Sequence, residues 1–361
     1  MTHRERFMAV MNGQKPDRIP IVGNMTVQEA EKFSQMWGLD VDFVDSWIGT
    51  RISHREILNK LGNDAVIIAA TRGTPTRTLP NGDVEDEWHM VYHRVGLYDE
   101  IVKRPLSECE TVEDLNAYQF PDALAPQRWA FAEEIIPRYK NEYGIIGDLE
   151  AAIFEIAWNM VGMEKFLTDL ICDEEYIDPF LNRLEDFATK CGVKMVELGC
   201  DMIWCGDDFG TQNGMMISPD LFREKFKFRY ERMWRKFKEI NPNVKIAHHT
   251  CGSVIPIIPD FIEIGLDFLN PIQPQAKDMN LAELYAQYGD RLGFFGGVDI
   301  QGVLPHGSLE DVRNEVHRVM DAVRHGNNFI IGPAHNIQAD TPVENVIAFY
   351  EESIKYGVIP G

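Results

Sequence analysis

The feature that most constrains this chain is a repeat of form: a short apolar strand followed by a longer amphipathic segment, recurring along its length. Strands are expected at Ile19–Val22, Ala65–Ala69, Tyr143–Asp148, Met202–Cys205, Val244–His248, Asp267–Asn270, Leu292–Gly296 and Phe329–Gly332. Helices are expected at Met163–Asp169, Glu175–Glu197, Pro219–Ile240, Asn280–Tyr288 and Leu309–His325. Their starts carry the right punctuation, with Pro219 behind Ser218 and Asp311 three residues after Ser308. Strand alternating with helix implies a parallel sheet, either open or closed.

The polar residues decide between the two. Asp148 to Glu150, Asp207 and Asp208, His249 to Cys251, Asp299 and His335 all fall at or just after strand C-termini. In a (β/α)8 barrel those ends converge on one mouth. An open doubly wound sheet also gathers ligands there, but usually on a Gly-rich phosphate loop. Neither GxGxxG nor GxxxxGK[ST] occurs. The chain is therefore expected to form one (β/α)8 TIM barrel over residues 1–361, with an N-terminal extension. Asn81–Arg104 breaks the rhythm by alternating polar and apolar residues, and reads as a small antiparallel hairpin excursion, a lid or a side structure.

Composition narrows the partners. A net charge of −22 excludes a phosphate-gripping nucleic-acid surface and disfavours docking on anionic lipid. No run of 18 apolar residues occurs, so no membrane span is expected. Six cysteines without a CxxC pair, and an N-terminus without a signal-type apolar run, point to reduced thiols and a cytoplasmic location. The stretch Asp220–Glu239 carries eight Lys and Arg residues from Arg223 to Lys238. It reads first as a solvated outer helix and second as a docking face for an acidic protein.

The chemistry-bearing residues begin with His249 and Cys251. At a strand end, residues i and i+2 project to the same side, so an imidazole and a thiolate can meet one ion. Zinc accepts that mixed set, and three protein ligands with an open position define a catalytic site. Standing alone, a His-x-Cys is more often a satisfied core histidine beside a small buried hydrophobe. His335, at the end of another strand, is the natural third ligand; the bland alternative is that it only braces the loop before Pro342. Of Asp207 and Asp208 at most one can face the mouth, as a general acid or base or as a substrate acceptor, or else as a loop cap. Glu150 stands where a mouth residue would, whereas Glu155 reads as surface. Asp299 follows Gly296 and Gly297, which permit close backbone approach, and is expected to line the pocket with Asn336 and Gln338.

Together, Arg4-Glu-Arg-Phe, Pro16-Asp-Arg-Ile-Pro20, Asp208-Phe-Gly-Thr-Gln, Ile217-Ser-Pro219, His249-Thr-Cys-Gly, Gly296-Gly-Val-Asp299 and His335-Asn-Ile-Gln span nearly the whole chain. In these segments the chain resembles the uroporphyrinogen decarboxylase superfamily, in particular its corrinoid-dependent methyltransferase branch. The resemblance implies a (β/α)8 barrel with its active site in the mouth. Decarboxylases of this kind carry an Arg-Gln-Ala-Gly-Arg segment that grips substrate carboxylates. Here the equivalent stretch runs Ile21-Val-Gly-Asn-Met-Thr26, without arginine. A tetrapyrrole with eight carboxylates demands several bidentate arginines, so the decarboxylase-type lyase is the weaker reading.

The methyltransferase branch surrounds zinc with His-x-Cys and a later Cys; here His335 takes the last place. Exchanging thiolate for imidazole removes one negative charge and sharpens the ion as a Lewis acid toward an ether or hydroxyl oxygen. The resemblance implies methyl transfer between a small methylated compound, an O-methyl substrate being the first choice, and a corrinoid. No Asp-x-His-x-x-Gly signature occurs, so the corrinoid is expected on a separate carrier protein. Zinc on His249, Cys251 and His335, with Asp208 or Glu150 orienting the substrate or handling its proton, completes the expectation. The alternatives are the lyase and a noncatalytic zinc-binding partner protein. A homodimer is the assembly expected if the chain self-associates.

Overall fold

The computed structural model describes residues 1–41, 46, 54–96, 98–323 and 327–359. In chain order, β1 (Ala65–Ala69) leads into a side sheet of β2 (Arg77–Thr78), β3 (Val84–Glu85), β4 (Val91–Val95) and β5 (Tyr98–Lys103). The main sheet resumes with β6 (Gly144–Ala151) and β7 (Met202–Gly206). A two-strand ribbon, β8 (Gly210–Thr211) and β9 (Gly214–Met215), precedes β10 (Lys245–His249), β11 (Phe268–Asn270), β12 (Gly293–Val298) and β13 (Phe329–Pro333). The seven main strands pair in parallel in the order β1-β6-β7-β10-β11-β12-β13. They curl into a TIM-barrel-like wall with helices outside.

Of the eight expected strands, seven are regular, and residues 19–25 occupy the eighth place as bridges. Ile21 pairs in parallel with Ile331. The Val22 N–H donates to the Ile331 carbonyl and the Ile331 N–H to that of Pro20, both at 3.0 Å. On the other side Asp64 N–H donates to the Ile21 carbonyl at 2.7 Å. Pro20 has no N–H, so a full ladder cannot form there.

Period-2 alternation then sorts the wall. Ala65, Ile67, Ile146, Met202, Trp204, Ala247, Phe268, Phe295 and Ile330 pack in one cluster inside the barrel, while Val66, Ile68, Ile203, Ile246 and Phe294 pack outward under the helices. Phe7, Val10 and Met11 of the helix His3–Met11 join the inner cluster and plug its N-terminal end. A side chain at Gly144 would meet the Phe7 ring at 2.2 Å, so the plug requires glycine there.

The plug is fastened by charge. Arg4 forks onto Asp201 at 2.7 Å through both terminal nitrogens. Asp64, fully buried, accepts from Arg6 at 2.7 Å, Arg18 at 2.8 Å and the Ile21 N–H at 2.8 Å, and pairs with His3 at 2.9 Å. The segments Arg4-Glu-Arg-Phe and Pro16-Asp-Arg thus serve the fold.

The expected hairpin is larger than its sequence suggested, a four-strand antiparallel sheet. Arg128 forks onto Glu87 at 2.9 Å, and buried Trp88 packs on Phe187 and Phe120. None of its described residues lines the mouth cavity below, so it is a side structure.

The basic stretch forms Pro219–Phe222, one π-helical turn Arg223–Lys227, and Phe228–Ile240. All eight cations pair with carboxylates: Arg223 and Lys227 with Asp260, Lys225 and Arg229 with Asp178, Arg232 with Glu185, Arg235 and Lys236 with Glu239, and Lys238 with Asp267. Those pairs answer the helix's charge from within the chain, which favours the outer-helix reading over a docking face. The expected helix Leu309–His325 is observed over Leu309–Asp321, and its last two positions lie outside the described residues. Ser218 and Ser308 cap as expected. No helix among the described residues is long and apolar enough to cross a membrane.

Candidate metal centre in the barrel mouth

Parallel register sets the first row of the site. Gly206 of β7 lies opposite His249 of β10, and His249 opposite Asn270 of β11. Parity with Ala247 turns the His249 side chain inward. A Cβ at 206 would stand 2.9 Å from that of His249, so glycine makes room for the imidazole. His249 Nδ1 lies 2.7 Å from Asn270 Oδ1, and Asn270 Nδ2 donates to the Phe295 carbonyl at 3.1 Å.

Cys251 is set by its backbone. Its N–H donates to Asp208 Oδ1 at 2.6 Å, the Gly252 N–H to Gln273 at 2.9 Å and the Ser253 N–H to the Thr211 carbonyl at 2.8 Å. Gly252 has φ +79° and passes Gly210 so closely that a Cβ would meet backbone at 2.5 Å. This turn brings Sγ to 3.3 Å from His249 Nε2. The His335 ring packs edge-on to His249 with centroids 5.5 Å apart. One ligand atom from each of His249, Cys251 and His335 falls within 4.8 Å of the others. His249 is buried, Cys251 half-buried and His335 exposed, so the cluster opens toward the mouth.

The adjoining aspartates separate as strand geometry requires. Asp208 Oδ1 lies 3.8 Å from His249 Nε2, beside the cluster. Asp207 points away and is fully buried. It accepts the N–H groups of Ile153 at 2.8 Å and Glu155 at 2.7 Å, capping the helix Phe154–Val161, and the Tyr230 hydroxyl donates to it. Burial raises its pKa to about 6 against those hydrogen bonds. His248 faces outward among Phe209, Tyr230, Trp234 and Phe261; burial, then neighbouring His249, lowers its pKa to about 3, so it stays neutral.

A small cleft adjoins the cluster, with about 380 Å³ of space when the open solvent at its mouth is counted. Its lining includes His249, His335, Asn336, Asn24, Asn270 and apolar walls from Ile67, Trp204 and Phe295. Asn336 is part of this lining. Gln338 is not in the lining and donates to the Asn336 carbonyl at 3.0 Å.

Asp299 also lies outside the lining. Its carboxylate accepts the N–H groups of Gln301 at 2.7 Å, Gly302 at 3.0 Å and Val303 at 3.2 Å. Burial opposes its ionisation, yet the donors on Gly302 and Gln301 hold its pKa below the usual value. Glu150 follows a bulge in β6, adopts φ +53° and receives the Ser46 hydroxyl; it too is outside the lining. Sequence reasoning passed over Asn24, Trp204, Asn270 and Phe295. Asn270 meets the same criterion that found His249, a polar residue at a strand end.

Comparison with known proteins agrees with this architecture. The model of the family described as uroporphyrinogen decarboxylase (URO-D) matches residues 101–356. Uroporphyrinogen decarboxylases of Nostoc sp. and Trichormus variabilis are each 22% identical over 271 residues, covering 72% of this chain and 72% of theirs. A solved methyltransferase from Methanosarcina mazei is similar in fold over 99% of each chain, with TM-score 0.70 and 19% identity. The family match covers well over half of the sequence and includes the strand ends that carry His249, Cys251 and His335, and on it the chain belongs to the uroporphyrinogen decarboxylase family.

Proposed function

We propose that the chain is a zinc-dependent methyltransferase that moves a methyl group between a small methylated compound and a corrinoid held on a separate carrier protein. The observation that carries this reading is the donor set: two imidazoles and one thiol converging at the open end of a family barrel. Zinc bonds of about 2.0–2.1 Å to nitrogen and about 2.3 Å to sulfur put neighbouring donors roughly 3.3–3.7 Å apart. The Sγ–Nε2 distance of 3.3 Å meets that spacing, and the exposed His335 offers its ligand atom within 4.8 Å of the other two. The residues therefore fit zinc. Bound there, the ion would act as a Lewis acid on the oxygen or sulfur that carries the methyl group.

The remaining roles belong to the chain. Ile67, Trp204 and Phe295 give the cleft apolar walls, and Asn24 and Asn336 offer hydrogen bonds to a small ligand held there. When the bond to the methyl carbon breaks, the heteroatom keeps the electron pair and takes up a proton, while the methyl passes to an electron pair on the corrinoid. Asp208, beside the cluster, is the residue proposed to orient that heteroatom and its proton. Glu150, held on Ser46, is the more distant candidate.

The test is metal analysis of chain purified without added zinc, followed by assays with methylated donors and a corrinoid carrier. One zinc per chain and transfer only with the carrier are expected. Transfer that persists after chelation overturns the reading. Asp208→Asn should keep zinc and lower kcat by roughly 10²–10⁴-fold.

Tetrapyrrole decarboxylation is favoured by the relatives' names alone. Among the described residues the cavity lining has no Lys or Arg to meet substrate carboxylates.

A further inference from the structure

We infer that Asn270 is a positioning residue that holds His249 in the tautomer able to ligate through Nε2. The inference rests on the zinc reading for its purpose, but its geometry is independent of it. A parallel ladder continued past Leu269–Phe294 would satisfy the Phe295 carbonyl with the N–H of residue 271. Residue 271 is proline and has no N–H. The Asn270 side chain supplies the missing donor, its Nδ2 reaching that carbonyl at 3.1 Å.

A carbonyl only accepts, so the face of the amide toward Phe295 must be the NH2 group. Oδ1 is thereby aimed at His249 Nδ1, 2.7 Å away. Since Oδ1 also only accepts, Nδ1 must carry the proton. The lone pair of the neutral ring then sits on Nε2, the nitrogen 3.3 Å from Cys251 Sγ. Asn270 is 3% exposed, so water cannot readily replace it. Such outer partners typically alter metal affinity by about 10–100-fold.

The test compares the wild type with Asn270→Leu and Asn270→Asp. In metal-free protein, ¹⁵N shifts of the His249 ring should show the Nδ1–H form in the wild type and a mixture in Asn270→Leu. Zinc affinity by chelator competition should fall about 10–100-fold in Asn270→Leu and recover to within about fivefold in Asn270→Asp, which keeps an acceptor. Asn270→Asp sets a carboxylate against the Phe295 carbonyl, so of the two variants it should have the lower thermal stability although it has the higher zinc affinity. A merely structural asparagine would make affinity and stability fall together, and that result overturns the inference. So does a wild-type His249 protonated on Nε2. A wild type with the Nδ1–H tautomer that takes up no zinc supports the positioning and overturns the zinc reading instead.

Discussion

Cys251→Ala is expected to yield a folded chain without bound metal and without methyl transfer. The fold should survive because the contacts that set this turn are made by backbone: the N–H at 251 to Asp208, that of Gly252 to Gln273 and that of Ser253 to Thr211. Alanine keeps all three. What it removes is Sγ, the soft member of a three-donor set and the one that would bind metal as a thiolate. Protein zinc sites of full complement bind by roughly 10–16 kcal/mol, so losing one donor of three costs several kcal/mol, on the order of 10³-fold in affinity. Metal analysis should find less than about a tenth of an ion per chain. Added zinc should raise the Tm of the wild type and leave the variant unmoved, because only a ligand that binds the native state stabilises it. A zinc-loaded, fully active Cys251→Ala would remove the basis of the assignment.

The second large effect is on stability, at the opposite end of the barrel. Asp64→Ala should destabilise the fold by about 3–5 kcal/mol, the usual cost of leaving buried charges without their partner. Asp64 is the common acceptor for Arg6, Arg18 and the Ile21 N–H, with His3 alongside. It ties the plug helix, residues 18–21 and the start of β1 into one knot. Burial would raise its pKa, but hydrogen bonding with His3, then the Arg18 charge, the Ile21 N–H and the Arg6 charge, hold it below the usual carboxylate value.

The sign follows from linkage. A carboxylate depressed in the folded state contributes fully above the unfolded value of about 3.9 and loses that contribution as pH falls through the folded one. The wild type should therefore lose stability steeply in acid, and the variant should start lower and fall less. Denaturant midpoints at pH 7 and pH 3 measure both. A variant within about 1 kcal/mol of wild type at pH 7 would show that the knot is dispensable.

Much of this protein is local in origin. Strand and helix periodicity depend on neighbours a few residues apart, which is why Pro219–Ile240 and the seven regular strands are legible in the bare chain. The turn held by Asp208, Gln273 and Thr211 sets the distance between His249 and Cys251, but their i and i+2 spacing at a strand end is local too. So is the division of Asp207 from Asp208.

Other features needed the closed wall. His335 comes to His249 because β10 and β13 curl toward one mouth. The basic helix becomes ordinary once Asp178, Glu185, Asp260 and Asp267 are folded against it. Asp299 satisfies its own loop and lies outside the cavity lining, a matter of backbone direction after Gly296 and Gly297, both at positive φ. Asn270 becomes informative only when Pro271 leaves the Phe295 carbonyl without its ladder donor. The sequence by itself determined the seven regular main strands, their parallel pairing and the chemistry carried at their ends, because those follow from short-range periodicity. Tertiary structure alone decided which of those ends meet and which carboxylates are already taken, because charge pairing and barrel closure join residues far apart in the chain.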